Sequence, residues 1–344
     1  MELRPLGPTG TFVSELCLGT MTFGAETDAD EAFRICDAYR EAGGTFVDTA
    51  DVYSAGASEE ILGRWLEQRG ARDDVVLATK VNFPVGADRG PNHRGLSRPN
   101  VHRAVRASLA RLGVDDVDLL QVHAWDPLTP IDETLEALDE LVRAGHVAYV
   151  GISNHAGWQL ATTLERARAQ GLAVPVSLQA HYNLLGRELE WELTPLCEHE
   201  GLGLLPWSPL AGGWLTGKYR RAEQPTGATR LGEDPQRGIE AWDKRNTERT
   251  WQVIEVLLAV ADELGASPAQ VALRWVTDRP TVSSTVLGAR TVDQLADNLG
   301  AAQLTLPEDA RARLDEASAV PAPDYPYGFL AELDAARRGG TGLG

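Results

Sequence analysis

The sequence predicts an α/β fold in which eight parallel strands, each followed by a helix, close into a (β/α)8 TIM barrel. Eight short apolar runs alternate with amphipathic segments, and several runs are nearly continuous in Val, Leu and Ile, as is typical of parallel strands buried on both faces. No Gly-x-Gly-x-x-Gly pattern occurs in the chain, although a doubly wound nucleotide-binding sheet usually carries one after its first strand. These observations favour the barrel.

The elements of the barrel can be placed one by one. The predicted strands lie at residues 15–19, 45–47, 75–79, 117–122, 147–152, 176–179, 203–207 and 282–287. Ser97 opens a helix that ends at Gly113, because proline follows in its first turn and glycine is the usual residue after a helix end. Thr129-Pro130 is the predicted start of a second helix, with Thr129 as its N-cap, and a third begins at Ser58.

Three additions to the repeat are expected within a single domain that covers residues 1–344. Residues 1–14 should form a hairpin cap, because Gly7-Pro8 and Thr9-Gly10 are turn signals ahead of the barrel at 15–318. A long loop rich in Pro, Gly and charge runs from Lys218 to Lys244 after strand seven, and such loops are often lids or binding segments. The tail at 319–344 begins with prolines that exclude a regular helix.

Charge and composition exclude several classes of partner. The 32 basic residues are outnumbered by 50 acidic ones, a formal charge of −18, which argues against binding to nucleic acid or an acidic membrane surface. The three cysteines, Cys17, Cys36 and Cys197, form no CxxC pair, so neither a disulfide framework nor a thiolate zinc site is expected. Without a signal peptide or an apolar stretch of about 18 residues, we expect a cytoplasmic protein. The sequence indicates no oligomeric state.

Polar side chains follow three neighbouring strands of the predicted barrel. Strand two ends at Asp48, with Tyr53 five residues later; strand three ends next to Lys80, and strand four next to His123. Reacting groups of (β/α)8 enzymes lie at the carboxyl ends of the strands, so these four side chains should meet at one mouth. Taken singly, each has an ordinary explanation: a turn-capping Asp, a rim Tyr, a solvent-exposed Lys and a structural His. Their joint occurrence favours a site.

The four residue types suit acid–base chemistry at a carbonyl. Tyrosine has a reference pKa of about 10, and an ammonium beside its hydroxyl stabilises the phenolate. We therefore expect Lys80 to lower the pKa of Tyr53 and Asp48 to keep Lys80 ionised. A histidine can orient the substrate oxygen or share in proton transfer. No metal is needed. A rival metal-dependent hydrolase would need ligands such as His-x-His, a spacing that the seven histidines do not show.

The segment FVDTADVYSAGASEEILGRWL, which carries Asp48 and Tyr53, resembles the signature of the aldo-keto reductase superfamily. Further similar segments follow in family order: LATKV, LLQVHAWDP, VAYVGISN, LPWSPLAGGWLTGKY and GARTVDQLADN. The similarity runs from about Leu3 to past Leu314. The long loop and the LTGKY segment resemble the branch that contains aryl-alcohol dehydrogenase-like reductases and potassium-channel β subunits.

The resemblance implies an oxidoreductase that transfers hydride between NADP(H) and an aldehyde or ketone, reducing it to an alcohol. It implies Tyr53 as proton donor, Lys80 and Asp48 as residues that tune it, and His123 as the residue that positions the carbonyl. The implied cofactor residues are Thr20, Met21, Asp48, Ser153, Asn154, Gln179, Trp207, Ser208, Pro209, Leu210, Gly212, Lys218, Gly288, Arg290, Gln294 and Asn298. Trp207 stands where the family commonly has a stacking Tyr.

Cofactor preference and substrate are less defined. The better-known branch carries Lys and Arg at the positions of Gly288 and Gln294, which leaves Arg290 as the expected ligand of the adenosine 2′-phosphate and leaves NAD(H) use open. Phe23, Tyr53, Phe83 and Trp125 are candidates for the wall of a substrate pocket that suits an aromatic or extended aliphatic carbonyl, or its alcohol, although aromatic residues also serve as barrel packing. The alternative function is a cofactor-binding regulatory barrel that acts through a protein partner, as channel β subunits do.

Overall fold

The strands of the structure, a computed structural model that describes residues 1–87, 89–221, 223–227, 229–236 and 238–338, form a hairpin and a parallel barrel. The hairpin pairs β1 and β2 antiparallel; the eight barrel strands are parallel in the order β10-β3-β4-β5-β6-β7-β8-β9. Their bounds are β1 Leu3–Pro5, β2 Phe12–Ser14, β3 Leu16–Gly19, β4 Phe46–Asp48, β5 Val76–Val81, β6 Val117–Val122, β7 Val147–Ser153, β8 Ser177–His181, β9 Gly203–Trp207 and β10 Thr285–Gly288.

A parallel bridge between Leu204 and Val282 joins β9 to the segment that leads into β10, which brings the two edges of the sheet together. This closure confirms the predicted (β/α)8 fold class. The eighth strand starts three residues later than predicted, because Val282 pairs with Leu204 only as an isolated bridge. Between the bridge and β10, the buried hydroxyls of Ser283 and Ser284 donate to the N-terminal hairpin region, at Pro5 O (2.8 Å) and Ser14 O (2.6 Å).

Helices cover the outside of the barrel and continue into the tail. Their bounds are α1 Ala29–Glu41, α2 Ala57–Arg69, α3 Arg98–Leu112, α4 Ile131–Arg143, α5 Gly157–Gln170, α6 Leu193–Glu200, α7 Arg230–Glu233, α8 Trp242–Arg245, α9 Glu248–Leu264, α10 Pro268–Thr277, α11 Val292–Leu299, α12 Glu308–Ser318 and α13 Phe329–Arg337. The predicted limits of α3 are confirmed, with Gly113 at φ 66° after its end. Pro130, not Thr129, precedes α4, because the hydroxyl of Thr129 donates to Asp126 instead (2.6 Å).

Two regions of the fold differ from expectation or extend it. The expectation that the tail after Val320 contains no regular helix is wrong: the prolines keep it irregular only as far as Pro323, and a π-helical segment at Asp324–Gly328 leads into α13 at Phe329. The short helices α7 and α8 lie in the described part of the long loop. Among the described residues, no single helix is long and apolar enough to cross a membrane; α9 and α10 together meet that length and composition, but they are bent by 100°.

The hairpin covers the amino-terminal end of the barrel. Leu6 and Val13 are fully buried and belong to one apolar cluster with barrel residues that include Phe46, Ala78 and Leu119. Gly7, at φ 55°, lies so close to β8 that a Cβ there would come 2.0 Å from the carbonyl oxygen of Val176, so only glycine fits. With this end covered, the carboxyl ends of the strands form the open mouth.

Candidate active site

Strand alternation places polar side chains directly above the apolar layer of the barrel. Side chains two apart on a strand face the same way, so Asp48 follows Phe46, Lys80 follows Ala78, and Gln121 follows Leu119 into the interior. Lys80 pairs in register with Gln121. The apolar-to-polar change along each strand therefore builds the floor of a site at the carboxyl end.

Lys80 and Asp48 form a buried ion pair on this floor. Nζ of the fully buried Lys80 donates to Oδ1 of Asp48 and to the carbonyl of Thr49 (2.8 Å). The second oxygen of Asp48 accepts from the amides of Gln121 (2.8 Å) and Gln179 (2.9 Å). Burial alone would lower the pKa of Lys80, but Asp48 and then Tyr53 raise this pKa by more, so its net value lies above that of an ordinary lysine. The ammonium therefore stays charged.

Tyr53 lies over this pair at the start of a tight turn. Its hydroxyl accepts a hydrogen bond from Nζ of Lys80 at 3.2 Å. The turn holds Ser54 and Ala55 at φ 50° and 55°, and the hydroxyl of Ser54 donates to the carbonyl of Phe23 (2.7 Å). Burial raises the pKa of Tyr53, and Lys80 lowers it, as expected; burial has the larger effect and Asp48 raises the pKa as well, so the net pKa lies above its ordinary value. The phenol is thus a protonated group near neutral pH.

His123 faces the same point from the end of β6. Its ring lies edge-on to Tyr53, with centroids 5.9 Å apart, and to Phe83 at 4.8 Å. Burial, and next the charge of Lys80, lowers the pKa of His123 to about 3, so the imidazole is neutral. Within the described residues, its buried Nδ1 has no hydrogen-bond partner.

A cavity of about 560 Å³ is lined by Asp48, Tyr53 and His123, with Lys80 buried behind them, and extends toward β10. Every residue that the resemblance implies for the cofactor lines it except Thr20, which is buried behind the wall with its hydroxyl 2.8 Å from that of Ser58. The sequence reading missed other lining residues: Gly19, Thr22, Gly213, Thr216, Thr229, Ser267, Ala269, Val286, Leu287, Ala289 and Asp297. Most are small, so backbone and hydroxyl groups border much of the cavity.

Backbone strain is concentrated at this mouth. In the described part of the chain, the non-glycine residues with positive φ are Ser54 and Ala55 beside Tyr53, together with Asn154, Ser208 and Ala211. Such conformations cost about 1–3 kcal/mol each and are common at functional sites. Sequence gave no sign of them, because Ser, Ala and Asn are not residues that mark this backbone region reliably.

The end of the cavity where the resemblance implies a nicotinamide contains amides, a hydroxyl and an indole. The indole N–H of Trp207 donates to Oδ1 of Asn154 (3.1 Å), and Nδ2 of Asn154 donates to the carbonyl of His123 (2.9 Å). The buried hydroxyl of Ser153 has no hydrogen-bond partner among the described residues. An aromatic face beside amide and hydroxyl groups fits a nicotinamide ring with its carboxamide.

Cationic side chains lie at the other end of the cavity. Lys218 and Arg290 both line it, and the guanidinium of Arg290 donates to the two carboxylate oxygens of Glu233 at 3.1 and 2.9 Å. Oε1 of Gln294 accepts from the backbone N–H of Arg290 (2.9 Å). The combination of an aromatic and amide-rich end with a cationic end suits a dinucleotide.

The long loop is held to the barrel by a buried carboxylate that sequence reasoning missed. Glu240 is 3% exposed; its oxygens lie 2.6 Å from Nε2 of His181 and accept from Nε of Arg245 (2.7 Å). Burial raises the pKa of Glu240, but His181 and then Arg245 lower it to a net value below its ordinary one. The ring of His181 lies edge-on to Trp207 at 4.9 Å, so the loop anchor is in contact with the cavity wall.

The four aromatic residues that were candidates for the substrate pocket do not all line the cavity. Of these, Tyr53 lines the cavity. Phe23 is fully buried, Phe83 is 41% exposed beside His123, and Trp125 packs edge-on against His155 and Trp158. Among the described residues, no group of three or more His, Cys, Asp or Glu side chains is arranged to hold a metal ion.

Comparison with known proteins agrees with this geometry. The model of the Aldo/keto reductase family matches residues 15–319. An uncharacterised oxidoreductase, YrpG, of Bacillus subtilis is 38% identical over 336 residues, which cover 96% of this chain and 99% of YrpG. A probable voltage-gated potassium channel subunit beta of Oryza sativa is 36% identical over 304 residues, which cover 88% of this chain and 91% of the rice protein. Norsolorinic acid reductase of Aspergillus flavus is 34% identical over 336 residues, which cover 94% of this chain and 82% of the reductase. The chain belongs to the aldo/keto reductase family.

Proposed function

We propose that this protein is an NADP(H)-dependent reductase that converts an aldehyde or ketone to an alcohol, with Tyr53 as the general acid. The observation that carries the proposal is the contact of Nζ of Lys80 with both Asp48 and the hydroxyl of Tyr53, at the mouth of a cavity with dinucleotide-binding chemistry. Two of the relatives are named as an oxidoreductase and a reductase, which supports the same reaction class.

The residues divide the work around the carbonyl oxygen. Tyr53 holds the proton on its hydroxyl and donates it to the substrate oxygen, and the charge of Lys80 stabilises the phenolate that remains. Asp48 keeps Lys80 charged and in place. Neutral His123 donates one N–H to the same oxygen and orients the carbonyl. When bound, NADP(H) supplies the hydride that completes the reduction.

Binding of the cofactor is assigned along the cavity. Ser153, Asn154 and Oε1 of Gln179 would hold the carboxamide, and Trp207 would stack on the nicotinamide ring. The turn from Ser208 through Pro209 and Leu210 to Gly212 would follow the pyrophosphate, where the positive φ of Ser208 turns the backbone. Lys218 would meet the cofactor phosphates, and Arg290 the 2′-phosphate.

The test uses the purified chain with NADPH and a panel of aromatic and aliphatic aldehydes. We expect oxidation of NADPH that depends on the aldehyde, quenching of Trp fluorescence on cofactor binding, and a loss of about 10²–10⁴ in kcat in Tyr53→Phe with cofactor affinity retained. A Tyr53→Phe variant that turns over as fast as the unmodified protein would contradict the role of Tyr53.

A second candidate function is supported by the channel-subunit relatives. The likeness to a probable voltage-gated potassium channel subunit beta fits a cofactor-binding barrel that acts through a protein partner. The same assay separates the two functions, because a regulatory barrel would bind NADPH tightly and turn it over slowly with every carbonyl tested.

We also place the protein in the cytoplasm, since its three cysteines are buried free thiols.

A further inference from the structure

The arginine assigned to the 2′-phosphate already has an anionic partner from the chain itself. Both terminal nitrogens of Arg290 donate to Glu233, one to each carboxylate oxygen. This parallel pair of hydrogen bonds is the geometry with which a guanidinium also binds a phosphate. A carboxylate and a phosphate cannot use the same edge of one guanidinium at the same time.

The surroundings strengthen this conflict. Nη2 of Arg290, which donates to Oε2 of Glu233, also lies 3.5 Å from Oε1 of Glu26, so two carboxylates already share one positive charge. Asp297, on the helix that follows Arg290, lines the same cavity. A 2′-phosphate would add about two negative charges here, whereas the 2′-hydroxyl of NAD(H) adds none and can donate a hydrogen bond to a carboxylate.

We propose that Glu233 is a specificity-determining residue of the cofactor site: its carboxylate occupies the guanidinium of Arg290 and competes with the 2′-phosphate of NADP(H). The inference rests on the proposed function, because it assumes that the cavity binds a nicotinamide dinucleotide. Glu233 belongs to the long loop and not to the barrel, so the loop itself lowers the preference for NADP(H) over NAD(H).

The strength of the competition follows from exposure. The side chain of Arg290 is 20% exposed and that of Glu233 is 43% exposed, so the pair is partly hydrated. Such pairs contribute up to about 1 kcal/mol, which corresponds to a change in phosphate affinity of up to about 5-fold. The effect should tune a preference and not create an absolute one.

The experiment measures dissociation constants for NADPH and NADH by Trp fluorescence in the unmodified protein, Glu233→Gln, Arg290→Ala and the double variant. Glu233→Gln should bind NADPH about 2- to 5-fold more tightly and NADH unchanged or slightly more weakly. In the Arg290→Ala background the gain for NADPH should vanish, because the effect passes through that guanidinium. Glu248→Gln, whose carboxylate pairs with Arg221 at 2.7 Å on the surface, is the matched control and should change neither constant.

The outcomes separate this inference from the function on which it rests. The competition between Glu233 and the 2′-phosphate is contradicted if both cofactors bind but Glu233→Gln changes their dissociation constants equally or changes neither. It is also contradicted if Glu233→Gln strengthens NADPH binding in the Arg290→Ala background. In each case the proposed reductase function is retained. If no variant binds either dinucleotide, the proposed function and the inference are both overturned.

Discussion

The hydroxyl of Tyr53 and Nζ of Lys80 lie 3.2 Å apart, and the lysine is fully buried. Lys80 serves two neighbours at once, since the same nitrogen donates to Asp48. The network therefore combines a structural charge pair with the proposed proton donor, and its two roles can be separated by substitution.

We expect Lys80→Met to lose both stability and turnover. Removing the ammonium leaves Asp48 buried without its counter-ion, which costs about 3–5 kcal/mol, and removes the charge that stabilises the phenolate, which should lower kcat about 10²–10⁴-fold. Urea unfolding and NADPH turnover measure the two effects.

The double variant Asp48→Asn/Lys80→Met keeps the two effects apart. It should regain most of the stability, because no buried charge is left unpaired, but none of the turnover. Lys244→Met, which removes an ammonium from the long loop, is the control and should retain both properties. A double variant with restored turnover would contradict the role assigned to Lys80.

Sequence periodicity was sufficient to predict the barrel and the meeting of Asp48, Tyr53, Lys80 and His123. Strand side chains alternate with period two, so the residue at the polar end of each apolar run must face the mouth once the strands are parallel. Gln121 could have been found from the same alternation, because it lies on β6 two residues before His123, which follows that strand. Gln121 lies within the strand, one residue before its end, so a rule that takes only the polar residues after each strand does not include it.

The loop contributions could not be predicted in this way. Glu240 contacts His181 across 59 residues of sequence, and Glu233 contacts Arg290 across 57. A glutamate in a charged loop has no periodicity that marks it as buried or paired, since its environment is set by tertiary folding alone. The sign of the pKa shift of Tyr53 was also out of reach, because it depends on how strongly burial opposes the charge of Lys80.

Asp51 provides a test of stability against pH. This carboxyl is 1% exposed, and its burial, then the charge of Glu59, raises its pKa to about 8. In the unfolded chain it ionises near pH 4, so between about pH 4 and pH 8 the unfolded state releases a proton that the folded state keeps. Folding therefore loses stability as pH rises through this window, by at most about 1.4 kcal/mol per pH unit from this group.

Asp51→Asn should remove that loss, because an amide resembles the protonated carboxyl and does not titrate. The variant should gain stability over the unmodified protein as pH rises from 5 to 8, measured by urea unfolding at both values. Asp73→Asn, at an exposed position, serves as the control. A stability difference that stays the same at both pH values would show that Asp51 is ionised in the folded protein.

Glu240 should act on cofactor binding through the residues that it holds. Its carboxylate is bonded to His181 and Arg245, and the ring of His181 contacts Trp207, so Glu240→Gln removes the charge that fixes this part of the wall. We expect NADPH and NADH to bind about 5- to 20-fold more weakly, equivalent to about 1–2 kcal/mol, with the ratio of the two constants unchanged. The unaltered ratio distinguishes this positioning role from the selective effect expected of Glu233→Gln. Weaker binding of only one cofactor would contradict this positioning role of Glu240. A loss of folding stability with both dissociation constants preserved would contradict it as well.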